Sequence, residues 1–275
     1  MGATLGATSG ATPGAGLPLP GRPIFARLAI AFVALFAAAG AANAAEVDAL
    51  ITTAMEAAIV ELTPSFEHET RNTLHVAYGP SGGVARRFVG GEPADVVVID
   101  SGKLAELVQQ GKILPGLTDV ARTGIAICVR KGAPRPDVST PEALKRALLA
   151  AKSIGHTDPA GGGITADHIM KMFERLGIAA EVKPKIKLAA GGPNGRVSVL
   201  VSSGEAEIGL QEISELMTNP GVEVIGLLPP ELQRITVFAA GIAANAKQPA
   251  AGKALIGFLS APAALTIYKT KGLAF

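Results

Sequence analysis

Residues 74–99, LHVAYGPSGGVARRFVGGEPADVVVI, set a strand, a glycine-containing turn, a short helix and a second strand within one short stretch. Residues 74–78 alternate in polarity, the turn at 79–83 carries Gly79, Gly82 and Gly83, and 96–99 is an unbroken apolar run, as in a buried strand. Such a stretch folds as a βαβ unit and commits the chain to an α/β fold. Its turn offers an anion the Ser81 hydroxyl and the backbone N–H groups of Gly82 and Gly83 at the start of a helix, where the helix dipole favours negative charge. No acid, base or metal ligand belongs to the turn, so it suits holding an anion over transforming one.

Strands and helices alternate through the rest of the chain. Strands are expected at 47–51, 123–130, 153–157, 182–188, 208–210 and 235–240, and helices at 55–68, 101–110, 141–151, 165–176, 195–203, 249–259 and 262–271. The long strand at 123–130 and the breaker-rich 131–136 look like a crossing between lobes, and the strand after Pro229-Pro230 carries the chain back. The expected architecture is therefore two lobes of mostly parallel sheet joined by two hinge crossings. Residues 45–126 and 238–275 form one lobe, residues 127–237 the other, and a ligand sits in the cleft between them.

Residues 1–44 read as a leader outside the fold. Residues 1–21 are Gly/Ala/Thr/Pro-rich, and after them come Arg22 and Arg27, an apolar run at 28–39 and the small-residue end Ala42-Asn43-Ala44. That is the pattern of a cleavable secretory signal, and the run is shorter than the roughly 20 apolar residues that span a bilayer. No cysteine stands at the cleavage point, so export to the periplasm without a lipid anchor is expected. With Arg22 and Arg27 assigned to the leader, the remaining basic and acidic residues balance. Neutrality and a content of 9 Phe, 2 Tyr and no Trp argue against nucleic acid as a partner. Cys128, the single cysteine, lies in the apolar run 124–129 and reads as a buried, inert thiol. No metal or cofactor is expected, because His68, His75, His156 and His168 lack ligand spacing.

Four strand-to-helix turns carry the candidate site: Thr53-Ala54-Met55, Ser81-Gly82-Gly83, the run 156–163 containing Asp158, Ala160, Gly161 and Gly162, and the run 191–195 followed by Arg196. Glycines let backbone approach a ligand, and a hydrogen bond to a charged ligand contributes about 1.5–3 kcal/mol. Taken singly each turn is an ordinary helix cap; four converging turns make a site. Gly79-Pro80-Ser81-Gly82-Gly83 also fits the G-x-S-x-G nucleophile elbow of a hydrolase, but only one strand precedes it after the leader, where that fold needs several.

The hydroxyl-Gly turn, the run Gly91, Pro93, Ala94, Asp95, Val96, the Asp158-Pro159-Ala160 turn, the segment 203–209 and the segment 258–262 together resemble the molybdate-binding branch of the periplasmic solute-binding proteins of ABC transporters. The resemblance implies a type II two-lobed fold, a monomer that captures a small anion, either an oxyanion or a small organic carboxylate, and a membrane permease as partner. It places Thr53, Ala54, Ser81, Gly82, Gly83, Ala160, Gly161, Gly162, Asn194, Gly195, Arg196 and Gln211 at the ligand. Gln211 stands where the branch has a tyrosine, and Thr53-Ala54-Met55 where it has Ala-Ser-Leu. Residues 209–216 resemble a side branch that includes aconitate isomerase. That implies a small di- or tricarboxylate with Arg86, Arg196 or His156 as counter-charge and, in an isomerase, His156 and Asp158 as proton-transfer groups.

Overall fold

The computed structural model describes residues 44–190 and 195–273, together with Gly10; the rest of the expected leader and Asn194 lie outside the described residues. The chain opens with β1 (Glu46–Thr52), a single 3-10 turn (Thr53–Met55), α1 (Glu56–Thr70), β2 (Thr73–Gly79), α2 (Ser81–Val89), β3 (Val96–Asp100), α3 (Ser101–Gln109) and the long β4 (Thr118–Arg130). Then come α4 (Pro141–Ala150), β5 (Ile154–Thr157), α5 (Ile164–Arg175), α6 (Ala179–Val182), β6 (Ile186–Ala189), α7 (Val197–Ser203), β7 (Ile208–Glu212), α8 (Ile213–Leu216) and β8 (Val222–Leu227). β9 (Ile235–Ile242), α9 (Pro249–Leu259) and α10 (Pro262–Thr270) complete it.

The strands lie in the order β2-β1-β3-β9-β4-β7-β5-β6, with β8 also paired to β4. Within each lobe the βαβ strands are parallel, β2-β1-β3 in the first and β6-β5-β7 in the second. The mostly parallel expectation stops there: β4, β8 and β9 pair antiparallel with their neighbours. β4 changes partner along its length, holding β9 through Thr118–Gly124 and then β7 and β8 from Ile125 onward. The partner change falls at 124/125, and the return strand β9 begins at Ile235, where the strand expected at 235–240 also begins.

Alternation sorts each strand's side chains into two cores. Val96 and Val98 face α1, α9 and α10, with Phe66 and Phe258 edge to face at 5.6 Å between centroids. Val97 and Ile99 face α2 and α3. In the second lobe Ile125, Ile127 and Val129 face α4 and α5, while Ala126 and Cys128 face α7. Cys128 is fully buried, and burial pushes its thiol up to about 12, the inert state expected of it.

Several elements depart from expectation, among them the single-turn helix α8, which has no counterpart among the expected helices. The strand expected at 182–188 is half helical, because Ile178 and Val182 bury one helical turn apart and Pro184, in the following 3-10 turn Lys183–Lys185, lacks the N–H a ladder needs. β8 has no counterpart among the expected strands. Its side chains are nearly all half-buried, as befits an edge strand, so no face of it reads as core.

Candidate functional site

Parallel strands deliver their working turns at their carboxyl ends, and here those turns face one another across the two lobes. From the first lobe come Thr52 and Thr53 after β1, and Pro80 and Ser81 after β2. The second supplies Thr157 from the end of β5, Gly163, Ile164 and Thr165 around the start of α5, and Gln211, Glu212 and Glu215 from β7 and α8. They enclose a cavity of about 20 Å³. One water needs about 10–15 Å³, so the walls nearly meet.

Contacts between lobes rim this cavity. Gly82 N–H donates to Gly162 O at 3.0 Å, and Arg86 Nη2 reaches Ala160 O at 3.3 Å. The backbones approach so closely that a Cβ on Gly82 would lie 2.9 Å from Gly162 O, and one on Gly162, whose φ is 87°, only 2.6 Å from Gly83 N. Gly82 and Gly83 themselves keep ordinary φ; they are needed for approach, not for unusual angles. The N–H of Gly82, expected to face a ligand, is bonded across the cleft. Arg196 forms an ion pair with Glu56 and donates to Thr218 Oγ1 at 3.0 Å. Arg234, on the return crossing, bonds Ile164 O at 2.7 Å and pairs with Asp100 at 3.3 Å.

Ser81 is only 2 % exposed. Its Oγ donates to Thr52 Oγ1 at 3.1 Å and accepts from the N–H of Asp100 at 3.2 Å, so the hydroxyl also ties the turns after β1, β2 and β3 together.

The acidic residues of the cavity were not foreseen. Glu212 and Glu215 are 4 % and 8 % exposed, and their carboxyl groups share a hydrogen bond. Gln211 Nε2 donates to Glu215 Oε2 at 2.8 Å. Burial pushes Glu212 up to about 6, held there against the pull of Arg234. Burial and the negative charge of Glu212 drive Glu215 well above the usual carboxylate range. Both shifts favour keeping a proton on the pair, and Glu215 is shifted further than Glu212. The available sign was two acids three apart at the end of a buried strand, in a segment otherwise apolar but for Gln211 and Ser214.

Other expected residues fall elsewhere. Ala54 packs in the first-lobe core. Gly161 sits at the rim, where a Cβ would meet Ala190 O at 3.2 Å. Gly195 precedes α7 with Arg196. His156 is fully buried against Phe173, at 6.3 Å between centroids, and donates from Nδ1 to Thr157 O at 2.9 Å. Burial lowers its pKa and keeps it neutral, so it supplies no counter-charge to the cavity, which it does not line. Asp158 caps the short Pro159–Gly161 turn through Ala160 N–H at 2.9 Å, and it too stands off the cavity.

Residues 47–274 match the family of bacterial extracellular solute-binding proteins. An aconitate isomerase of a Pseudomonas species is 32% identical over 221 residues, 78% of this chain and 82% of that protein. A molybdate-binding protein of Rhodobacter capsulatus is 25% identical over 232 residues, 84% of this chain and 89% of that protein. Among solved structures, the Azotobacter vinelandii periplasmic molybdate-binding protein superposes with a TM-score of 0.70 at 18% identity, covering 83% of this chain and 99% of that one. Sequence, lobed fold and cleft agree: the chain belongs to the bacterial extracellular solute-binding proteins.

Proposed function

We propose that this protein is exported by the leader in residues 1–44 and captures a small organic polycarboxylate between its lobes, for delivery to an ABC permease in the membrane. The hinge is assigned to the two crossings, at 124–125 and 228–234, whose opening admits the ligand. One observation carries the choice of ligand: a cavity walled on one side by the hydroxyls of Thr52, Thr53 and Ser81 and on the other by the hydrogen-bonded Glu212 and Glu215 pair. Two like unit charges about 4 Å apart cost about 4 kcal/mol at an effective dielectric of about 20, so whichever ligand group lies beside Glu212 is favoured when it shares a proton with the pair. A carboxylate ligand, a weak acid of the same class as the pair, shares the pair's proton in a hydrogen bond and puts its carbon skeleton where a second oxyanion charge would otherwise sit.

Thermal unfolding against a panel of citrate, tricarballylate, cis- and trans-aconitate, malate, molybdate, tungstate and sulfate tests this. A ligand at 100 times its Kd stabilises by about 2.7 kcal/mol, a readily measured rise in Tm. Carboxylates should give the rise. A rise with molybdate or sulfate alone overturns the choice of ligand and supports the second reading, an oxyanion receptor, which the molybdate-binding relatives favour. The same carboxylate pair also favours catalysis on the bound acid, as the aconitate isomerase relative suggests.

A further inference from the structure

We propose that the protein carries a second ligand site, in an apolar groove at the crossings between its lobes, that takes a free medium-chain alkyl carboxylate. The groove shares no lining residue with the cleft cavity, and the inference stands whatever ligand the cleft holds. It lies where Thr123 and Gly124 of β4 pair with Thr236 and Ile235 of β9. Both lobes supply its walls, the first through Lys269 and Gly272 at the end of α10, the second through Ile213 of α8 and Leu227 of β8. Thr123 Oγ1 donates to Gly272 O at 3.0 Å, which fixes the segment after α10 to the crossing.

Two observations define the occupant. The first is apolar surface. Leu227 and Ile235 are 52 % and 55 % exposed, and the half-exposed Met217 adjoins Gly272, where a Cβ would lie 3.0 Å from its Sδ. Single exposed aliphatic side chains are ordinary; several gathered around a groove of about 430 Å³ make a place for an apolar body, since small-molecule sites run to about 300–1,000 Å³. The described lining holds no aromatic ring on which a planar ligand could stack, so a flexible alkyl chain suits it better. The second observation is charge. Arg122 and Lys269 line the groove, both are exposed, and neither has an acidic partner among the described residues. The described lining contains no carboxylate either, so both cations are left for the head of the ligand. The same charges argue against other occupants. A two-fold contact of this groove with a second copy would set the two cations of each copy against an equally cationic surface, and a bilayer surface calls for clusters of about 4–8 basic residues where there are two. Because the walls belong to different lobes, hinge motion changes their spacing, and α8 carries Ile213 in the groove and Glu215 in the cleft. A ligand that fits the groove at this spacing therefore favours the closed arrangement.

Calorimetry of the purified full chain with hexanoate, octanoate and decanoate, each below its micelle-forming concentration, tests the site. Saturable binding is expected, with Kd falling about fourfold for each added CH₂ until the groove is full. Octyltrimethylammonium, which presents a similar chain on a cationic head, should bind at least about tenfold more weakly than octanoate, and the double variant Arg122→Gln, Lys269→Gln should weaken octanoate by about tenfold. Leu227→Asp changes an exposed side chain, so the fold should persist, with thermal unfolding as the check, while octanoate Kd rises at least about tenfold. Leu188→Asp, at a side chain 50 % exposed on β6 at the far edge of the sheet, should leave octanoate Kd unchanged. Gly82→Ala, whose Cβ would meet the backbone of Gly162 across the lobes, should weaken octanoate as well, and an unchanged Kd there overturns the link to closure. No saturable binding of octanoate or decanoate by the parent, or parent-like binding by folded Leu227→Asp, overturns the site. Equal affinity for octyltrimethylammonium overturns the carboxylate head. Association with phosphatidylglycerol vesicles in place of the free acids makes the groove a membrane contact and overturns the assignment.

Discussion

Replacing Gly82 by alanine separates the closure of the lobes from the stability of either one. Gly82 is the second residue of α2, and alanine is preferred there by about 0.5–1 kcal/mol, so the first lobe on its own gains slightly. The added Cβ would lie 2.9 Å from Gly162 O and 3.2 Å from Gly162 Cα, both backbone atoms of the opposite lobe. No side-chain rotation relieves that overlap. Either the lobes stay apart or the overlap is borne at about 1–3 kcal/mol, and the 3.0 Å bond from Gly82 N–H to Gly162 O, worth about 1 kcal/mol, is lost as well. The sum, about 2–4 kcal/mol, falls on the closed arrangement and corresponds to about thirtyfold to several hundredfold in ligand Kd. Calorimetry with the carboxylate that gives the largest thermal shift, and small-angle scattering of free and loaded protein, read both sides. Affinity should drop and the loaded protein should stay more open, while urea unfolding of the free protein shows no loss specific to the first lobe. Parent-like affinity in Gly82→Ala would refute the argument that the glycine contact is part of the bound state.

Three further outcomes follow from named contacts. Ser81→Ala leaves the Asp100 N–H without its acceptor, so stability should fall by about 1–3 kcal/mol in urea titration, and an unchanged midpoint contradicts the bridge to Thr52 and Asp100. Glu212 has a folded pKa of about 6, above the unfolded carboxylate value, so the native state binds more protons between the two and stability falls as pH rises through that window. The loss amounts to about 2 kcal/mol between about pH 4.5 and 6.5, and Glu212→Gln should flatten that segment of the unfolding free energy; an identical slope in the variant removes the assignment. Arg196→Met cuts the ion pair to Glu56 that spans the lobes, so the free protein should scatter as a more open particle, whereas an unchanged radius of gyration shows that this pair does not hold the cleft.

Local pattern carried the fold class, most element positions and the placing of Thr53 and Ser81 at the cavity, whereas Gln211 was placed there by the family resemblance alone. Those local readings depend on periods of two and 3.6 residues or on turn chemistry, which neighbours in the chain decide. Residues 96–99 read as a buried strand because β3 lies between β1 and β9 with both faces covered, a state that leaves its mark in four consecutive apolar residues. The direction of β4 and β9, the helical start of 179–182 and the edge strand β8 were not legible. They follow from which strand lies beside which, and residues distant in sequence settle that. The chemistry of the site belongs to tertiary structure in the same way. His156 and Glu212 are both titratable residues near strand ends, yet the fold turns His156 against Phe173 in a core and sets Glu212 beside Glu215, under the charges of Arg234 and Asp100. The pKa of a group depends on its burial and on charges a few ångströms away, and here those charges come from Asp100 and Arg234, themselves 134 residues apart in the chain.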